Sequence, residues 1–413
     1  MLKVLASSWA LLLGLLLLML GNGMQGTLLG IRGAIEDFST TQMSIVMSCY
    51  FVGFLFGSRM APEMIRRVGH VRVFAALGSM ISAVLILYAA APHWVAWALM
   101  RVIIGFSFSG VYITAESWLN NASTNETRGQ ALSLYLIVQM IGIIAAQALL
   151  NLADPSGYIL FVIPSVLVSL AFTPILLSIS PAPQFESTAR LTMRELYRIS
   201  PLGCVGMFLL GGIFSAQFGM AAVWATQAGL NVRDLSIFVA GIYTGGLLLQ
   251  YPIGWLSDRM DRRRLILFLA IGGTIVLTVP VLFNIPFVAL VVVGAFAGGI
   301  SNPLYSLILA YVNDYLKPTE MAGASAGLLF INGVGAISGP IITGWMMGVI
   351  GPSGFFLFMA LIFGVLAAYS LWRMSRRPIT PGSQSSYTAV SPTASAISVE
   401  AALEHNEDET LQS

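Results

Sequence analysis

Five residues recur at intervals of three or four positions in one apolar segment of the sequence. They are Arg101, Gly105, Ser109, Tyr112 and Glu116. This spacing predicts that all five lie along one face of a helix. Arginine and glutamate are costly inside an apolar span, so such residues indicate a polar binding site, a proton path or a gate. The structural alternative is that Arg101 holds its own part of the protein together from within.

Other polar side chains interrupt apolar segments elsewhere in the chain. The candidates are Asn22, Gln25, Gln217, Trp224, Asn302 and Tyr305. Together with Arg101, Ser109 and Tyr112, they are candidates for a polar site within the apolar segments. Glu116 is instead the candidate for proton coupling or for a gate. Amide side chains also join membrane helices by hydrogen bonds, which is the competing interpretation for the Asn and Gln residues.

The composition indicates a chain that lies in a lipid bilayer. Of the 413 residues, 57% are hydrophobic and only 9% are charged, and the mean hydropathy is +0.84. Charge this sparse cannot cover a soluble surface, and the apolar runs have the length of about 20 residues that spans a bilayer. Twelve spans are predicted, at about 8–34, 41–62, 70–90, 93–120, 127–151, 158–179, 199–229, 233–256, 264–283, 285–314, 319–348 and 353–373. The fold class is therefore all-α and integral to the membrane.

The distribution of charge predicts the orientation and the domain limits. Most of the 20 Lys and Arg residues fall on one side of the twelve spans. The positive-inside rule then places both termini in the cytoplasm. A net charge of +2 without a basic patch gives no reason to expect nucleic acid as a partner. The predicted units are 1–180 (first bundle), 181–198 (cytoplasmic linker), 199–375 (second bundle) and 376–413 (disordered cytoplasmic tail).

The two halves of the chain align on each other at a nearly constant offset. Gln25 falls on Gln217 at an offset of 192 positions, and Tyr112 falls on Tyr305 at 193. Matches of this kind in one register indicate a duplicated unit. Two pseudo-symmetric six-helix bundles with a site between them is an arrangement found in many membrane transporters.

The stretch GWLSDRMDRR is a charged turn in a sequence that is otherwise poor in charge. It contains a Gly, three residues, an Asp-Arg pair and then a basic pair, namely Gly254, Asp258, Arg259, Arg262 and Arg263. This pattern, between spans eight and nine, resembles the loop signature of the major facilitator superfamily. The first-half counterpart is RRVGHVR, in which Arg66 stands where the family has its Asp and Gly69 follows. The segments AESWLNN and RVGHVRVFAAL further resemble a bacterial branch that is often called YcaD-like. This resemblance implies a location in the bacterial inner membrane.

The resemblance implies a twelve-helix transporter that works by alternating access. In that fold, helices one, four, seven and ten line the cavity. The resemblance therefore implies that the polar candidates on these helices line a substrate cavity, namely Asn22, Gln25, Arg101, Ser109, Tyr112, Gln217, Trp224, Asn302 and Tyr305. The implied function is secondary active transport of a small organic solute by a monomer, with protons as a candidate coupling partner. Efflux of hydrophobic or toxic compounds is the alternative, and a transporter-like sensor without transport is the alternative of another class. No phosphate loop, metal-ligand cluster or nucleophile motif is found, so neither a cofactor nor an enzyme is predicted.

The same resemblance implies a conformational latch at the cytoplasmic side. Asp258 would face the start of span five, where helix N–H groups and Arg128 stabilise a carboxylate. By symmetry, Arg66 would face Glu320 at the start of span eleven, with the two charges exchanged. Because such contacts form in only one state, they would bias the equilibrium between states. The competing interpretation is that these residues are solvated charges of little energetic value.

Overall fold

The computed structural model describes residues 2–122, 125–176, 192–316, 318–376, 387 and 389–390. The side chains of residues 2–8, 121–122, 125–129, 175–176, 318–319 and 322 are outside this description. Within these limits, the chain forms fourteen α-helices and one π-helical turn. The α-helices are α1 (Leu2–Ile35), α2 (Thr40–Val68), α3 (His70–Ala90), α4 (Trp94–Ala122), α5 (Asn125–Leu149), α6 (Ile159–Leu176), α7 (Met193–Ile199), α8 (Pro201–Ser215), α9 (Ala221–Gln227), α10 (Val232–Ser257), α11 (Arg262–Leu282), α12 (Phe287–Asn313), α13 (Pro318–Ile350) and α14 (Ser353–Arg376).

Eleven segments of the described chain are long and apolar enough to cross a membrane. One of them, Pro201–Gln227, joins α8, the π-helical turn and α9 into a single span. Helix α6 is shorter and takes the place of the predicted sixth span, whose end at residues 177–179 lies outside the described residues. The predicted linker 181–198 contains most of the short helix α7. The all-α membrane architecture predicted from the sequence is confirmed.

The helices pair in the same way in both halves. Helix α2 packs along α4 in the first half, and α10 packs along α12 in the second. Likewise α1 packs on α5 and α8 on α13, while α3 packs on α6 and α11 on α14. Each helix and its counterpart thus hold the same place in their bundles. The predicted pseudo-symmetry of the two halves is confirmed.

Glycines bring the paired helices into backbone contact. A Cβ added to Gly105 of α4 would overlap the carbonyl oxygen of Tyr50 on α2. A Cβ added to Gly53 of α2 would overlap the carbonyl oxygen of Val102 on α4. The two helices therefore approach as closely as they do only because both positions lack a side chain, a common arrangement in membrane helix pairs.

The second half repeats this seam at the offset that the sequence predicts. Gly245 of α10 and Gly298 of α12 stand 192 and 193 positions after Gly53 and Gly105. A Cβ on either would overlap a backbone carbonyl of the partner helix. The duplication therefore preserved backbone contacts as well as hydropathy.

The two halves are in contact at one end of the molecule, and α2 and α13 remain in contact from there past the middle of the span. We call the end where α10 ends and α11 begins the motif end, and the opposite end carries the turn between α1 and α2. At the opposite end, Asn151 Nδ2 after α5 donates to Ser236 Oγ of α10 over 3.5 Å. The Ser48 hydroxyl of α2 donates to the Ile337 carbonyl of α13. Gly344 packs against Ser44 along the same two helices, so this end is closed.

Candidate functional site

Arg101 is the centre of a polar network inside the first bundle. Its side chain is 0% exposed. Nη1 donates to Gln25 Oε1 over 3.0 Å, and Nη2 donates to the Met47 sulfur over 3.0 Å. The guanidinium also lies 4.9 Å from the ring centroid of Tyr50. Its Nε has no hydrogen-bond partner within the described part of the chain.

The network continues from Arg101 through α1 and back to α4. Gln25 Nε2 donates to Asn22 Oδ1 over 3.2 Å, and Asn22 Nδ2 donates to the Tyr112 hydroxyl over 2.9 Å. Four of the predicted cavity residues, Asn22, Gln25, Arg101 and Tyr112, therefore form one chain of hydrogen bonds. Because Gln25 and Arg101 are 76 residues apart, this link depends on the packing of α1 against α4.

A π-helical turn interrupts the seventh span. It comprises Ala216–Met220 and carries Gln217, whose Oε1 accepts a hydrogen bond from Ser301 of α12 at 2.8 Å. Gln217 Nε2 has no partner among the described residues. The ring of the next residue, Phe218, lies 5.6 Å from the ring of Tyr50 and so brings the second half against the first. Single π turns inside α-helices often mark functional sites.

The remaining predicted cavity residues have different surroundings. Asn302 Nδ2 donates to the Gly298 carbonyl of its own helix over 3.2 Å, and its Oδ1 has no partner in the described chain. Tyr305 is buried about one turn further along α12. Ser109 lies against Gly57 at the seam between α2 and α4.

Trp224, which the sequence interpretation assigns to the substrate cavity, lies in an aromatic cluster of the second bundle. Its ring packs among three phenylalanines of the second bundle, Phe238, Phe355 and Phe356, at 4.7, 5.4 and 4.9 Å between centroids. An aromatic cluster of this kind stabilises helix packing. Trp224 is thus a core residue of its own bundle, because its position on α9 turns it toward α10 and α14.

A largely apolar cleft lies between α2, α8 and α13. The cleft and the solvent-open space in front of it together measure about 400 Å³. Its lining residues are Tyr50, Phe51, Phe54, Leu55, Ser58, Phe214, Leu329, Asn332, Gly333 and Ala336. Tyr50 belongs both to this lining and to the surroundings of Arg101. The sequence analysis missed the cleft, although the run of aromatic residues in α2 was a signal.

Glu116 lies near the other end of α4 from Arg101. It is 0% exposed and accepts a hydrogen bond from the Tyr135 hydroxyl of α5 at 2.8 Å. The helical rise between the two residues places them roughly 22 Å apart along the axis. Glu116 is therefore a buried acidic group apart from the Arg101 network and closer to the motif end.

The charged turn at the motif end makes contacts within the second bundle. Arg262 is 1% exposed and donates to Asp314 Oδ1 over 2.6 Å, to the Ala310 carbonyl over 3.2 Å and to Ser257 Oγ over 3.2 Å. It also lies 3.6 Å from the carboxylate of Asp258. One guanidinium thus joins the ends of α10, α11 and α12.

The other charges of the turn are bound locally. Asp261 caps α11 and pairs with Arg263 at 3.0 Å. Burial raises the pKa of the Asp261 carboxyl, but the hydrogen bonds from Arg263 outweigh burial and hold that pKa below its usual range. Arg259 lies over the ring of Trp255, 4.2 Å from its centroid. Gly254 lies against the ring of Tyr387 from the C-terminal tail.

The predicted latch partners are not brought together in the described residues. Arg66 is 68% exposed and pairs with Glu63 of its own helix at 2.7 Å. Glu320 lies in the first turn of α13. Arg128 lies in α5, and its side chain is outside the described residues. Gly69 separates α2 from α3 with φ +85°, a backbone conformation that favours glycine. The exchanged-charge latch therefore stays a prediction for a state in which the motif end is closed.

Part of the predicted disordered tail packs on the second bundle. Tyr387 and Val390 lie against α10 and α12 at the motif end, and Val390 is buried. The backbone N–H of Tyr387 donates to Asp258 Oδ1 over 2.8 Å. The rest of the tail beyond residue 376 lies outside the described residues, apart from Ala389. The sequence analysis missed this contact because a short polar tail has no hydropathy period that would reveal a docking site.

The fold and the buried polar network define a class of protein. Two related six-helix bundles in a membrane, with polar side chains buried on spans one, four, seven and ten, form the architecture of a membrane transporter. The family model described as Major Facilitator Superfamily matches residues 11–232 and residues 203–404. The chain belongs to this superfamily, whose members are transporters and not enzymes. The predicted family and the prediction that the chain is not an enzyme are therefore both confirmed.

Several relatives support the same assignment. The chain is 28% identical over 378 residues to the "Uncharacterized MFS-type transporter YcaD" of Escherichia coli O45:K1 (strain S88 / ExPEC), covering 85% of this chain and 92% of the relative. The protein of the same description from strain K12 / DH10B gives the same figures. The chain is thus a multi-pass membrane protein of a bacterial transporter family.

Two solved structures share the fold. The nucleoside transporter NupG has a TM-score of 0.75 at 16% identity, covering 91% of this chain and 100% of that one. A bacterial homolog to human lysosomal transporter Spinster, inward-facing and unoccupied, has a TM-score of 0.67 at 15% identity, covering 98% of each chain. At these identities the likeness shows the fold and says nothing about the substrate.

Proposed function

We propose that this protein is a secondary active transporter that moves a small organic solute across the bacterial inner membrane by alternating access. The observation that carries the proposal is the buried polar network of Arg101, Gln25, Asn22 and Tyr112. Buried polar groups are costly unless they are hydrogen-bonded. The Nε donor of Arg101 and the Nε2 donor of Gln217, one on each half, are unused in the described chain, which leaves both for a ligand. The positive-inside rule places the motif end and both termini in the cytoplasm. The closed end then faces outward.

A substrate-independent experiment tests alternating access. Cys49 and Cys204 are first replaced by alanine, and Ser44→Cys is introduced at the buried seam between α2 and α13. In intact cells, we expect a membrane-impermeant thiol reagent to label Ser44→Cys slowly, because the seam must open for the reagent to reach it. Ser156→Cys, in the exposed loop at the same end, is the control for a permanently accessible thiol.

A disulfide between the two halves holds the closed end shut and serves as the control for this labelling. Asn151→Cys and Ser236→Cys replace two side chains that contact each other across the halves. Oxidation of this pair should stop the labelling of Ser44→Cys, and prior reduction should restore it. A labelling rate of Ser44→Cys that the disulfide does not change, or no labelling at all, would contradict alternating access and favour a transporter-like sensor.

Proton coupling is the finer part of the proposal, and Glu116 is its candidate. Its buried carboxyl contacts Tyr135 of α5, so gain of a proton changes a contact between two helices. We expect the labelling ratio of Ser44→Cys to Ser156→Cys to depend on pH, and Glu116→Gln to remove this dependence. The thiol of Ser44→Cys is the same with and without Glu116→Gln, so the difference between the two profiles reports Glu116. A pH dependence that Glu116→Gln leaves unchanged would exclude this residue as the proton carrier.

Efflux of hydrophobic compounds is the second candidate function. The cleft lined by Phe51, Phe54 and Phe214 favours it, because aromatic surfaces bind apolar molecules without strict geometry. Thermal stabilisation of the detergent-purified protein by many unrelated apolar compounds would support efflux. Stabilisation by one chemical class, weakened in Gln217→Ala, would support a selective transporter.

A further inference from the structure

We propose that the solute is an organic anion whose acidic group binds Arg101 and whose apolar part occupies the cleft beside Tyr50. This inference rests on the proposed transport function and names the chemical class of its substrate. The acidic group can be a carboxylate, a phosphonate or a sulfonate, because all three present oxygen atoms to a guanidinium in the same way. The argument rests on the charge of Arg101, on its unused donor and on the position of Tyr50.

Among the described residues, the positive charge of Arg101 is buried without an anion beside it. Its contacts are an amide oxygen, a thioether sulfur and an aromatic ring, all of which are neutral. Within the described residues, no ion pair involves Arg101. A buried charge without an opposite charge is costly, so a site that keeps one gains most from an anionic ligand. Glu116 cannot supply the charge, since it lies roughly 22 Å further along the same helix.

The donors of Arg101 suit a ligand with two acceptor oxygens. A guanidinium has its N–H donors in a fixed plane, and it binds oxyacid groups through two parallel hydrogen bonds. Nε is free in the described chain, and the neighbouring Nη2 is held only by the Met47 sulfur. Thioether sulfur is a weak acceptor and methionine is a flexible side chain, so an oxyacid group can displace it.

The cleft offers an apolar surface to the rest of the molecule. Tyr50 lies under the guanidinium on one side and lines the cleft on the other. Phe51, Phe54 and Phe214 present aromatic surface to it, which favours an apolar body. Gln217 Nε2, unpaired in the described chain, is a further donor on the other half.

Matched pairs of anions and neutral amides test this inference. The probes are 3-phenylpropanoate with 3-phenylpropanamide, hexanoate with hexanamide, and phenylphosphonate. The measurement is the thermal unfolding of the detergent-purified full chain with each probe. We expect at least one anion to stabilise the wild type. Its amide should need about a tenfold higher concentration for the same stabilisation, or have no effect. Arg101→Gln should lose this stabilisation, while the exposed arginine variant Arg72→Gln should keep it.

The contrary outcomes separate the substrate class from the transport function. Equal stabilisation by an anion and its amide, stabilisation that persists in Arg101→Gln, or no stabilisation by any anion would each overturn the inference. If Ser44→Cys is still labelled reversibly in any of these cases, transport stands and only the anionic substrate is wrong. Arg101→Lys, which keeps the charge and loses the planar fork, should retain weak binding and shows that the variant site is still folded.

A second inference comes from the C-terminal tail. We infer that the tail residues Tyr387, Ala389 and Val390 form a plug that occupies the groove between α10 and α12 and opposes closure of the motif end. Gln250 Nε2 donates to the Tyr387 hydroxyl over 3.0 Å. Further along, the N–H of Val390 donates to Ser306 Oγ over 2.9 Å, and Ser306 Oγ donates to the Val390 carbonyl over 3.0 Å. The segment therefore binds through side chains and backbone at two levels of the groove.

The docked tail binds the carboxylate of Asp258, which the predicted latch would also use. Asp258 Oδ1 accepts the backbone N–H of Tyr387 at 2.8 Å, which is the kind of donor that the N-terminus of a helix offers. In the predicted latch, Asp258 instead faces the start of α5. Both contacts use the same carboxylate, so the docked tail competes with the latch for Asp258. A segment that binds only one state shifts the population toward that state.

Two experiments test the docked position of the tail and its effect on the opposite end separately. In the cysteine-free background, Ser306→Cys and Val390→Cys should form a disulfide, and absence of the disulfide would overturn the docked position. For the effect, Tyr387→Ala should increase the labelling rate of Ser44→Cys severalfold, because release of the plug lets the opposite end open more often. The matched control is Tyr251→Ala, which removes an exposed tyrosine from α10. An unchanged or lower rate in Tyr387→Ala would overturn the plug.

Discussion

Replacement of Gly105 by alanine will separate α2 from α4 and destabilise the first bundle. The added Cβ would overlap the carbonyl oxygen of Tyr50, and backbone cannot move aside as the end of a flexible side chain can. Overpacking of a tight interface costs about 1–3 kcal/mol, and backbone overlap belongs at the upper end of that range or above it. Because Tyr50 also lies against Arg101, displacement of α2 should disturb the proposed site as well. The measurement is the apparent melting temperature and the yield of monodisperse protein in detergent.

Two further glycine variants serve as controls for this prediction. Gly348 lies in α13 with open space around its added Cβ, so Gly348→Ala should leave the melting temperature unchanged or slightly higher. Gly298 is the counterpart of Gly105 in the second bundle, and Gly298→Ala should be about as damaging as Gly105→Ala. Equal melting temperatures for Gly105→Ala and Gly348→Ala would show that the seam does not depend on the missing side chain.

Replacement of Arg262 by leucine will break the link between three helices at the motif end. The guanidinium is 1% exposed, and it binds Asp314, the Ala310 carbonyl and Ser257. Removal of one partner of a buried ion pair costs about 3–5 kcal/mol, because the other charge loses its compensation. We therefore expect a large fall in the apparent melting temperature, measured in detergent at constant pH.

A double variant separates the ion pair from simple loss of packing. Arg262→Leu combined with Asp314→Leu should recover part of the lost stability, since neither charge then remains buried. Arg259→Leu is the matched control in the same turn, and it should cost less than about 1 kcal/mol because Arg259 is exposed over Trp255. A small effect of Arg262→Leu, similar to that of Arg259→Leu, would contradict the role given to Arg262.

The role of the charged turn therefore differs in part from the sequence interpretation. The sequence predicts that GWLSDRMDRR acts between the two halves of the protein, through Asp258. In this structure Arg262 and Arg263 instead make contacts inside the second bundle. Asp258 is bound by the tail and approached by Arg262. Much of the charge concentrated there thus stabilises the helix ends, and Asp258 remains the candidate for exchange between partners.

The helical spans and the relation between the two halves follow from the amino-acid sequence alone. Apolar runs, charge placement and the offset between Gln25 and Gln217 are properties of the chain that need no contact to be recognised. The spacing of Arg101, Tyr112 and Glu116 likewise predicts one helical face, because α-helical geometry is local. All three residues are buried in the structure.

Which of these residues meet depends instead on how the helices pack. Gln25 contacts Arg101 across 76 residues of sequence, whereas Trp224 turns into the aromatic core of its own bundle. The π-helical turn at Gln217 and the docking of Tyr387 on Asp258 also have no hydropathy signature. The physical reason is that periodicity reports the face of a single helix. Which face meets which depends on how closely glycine seams such as that of Gly105 let two backbones approach.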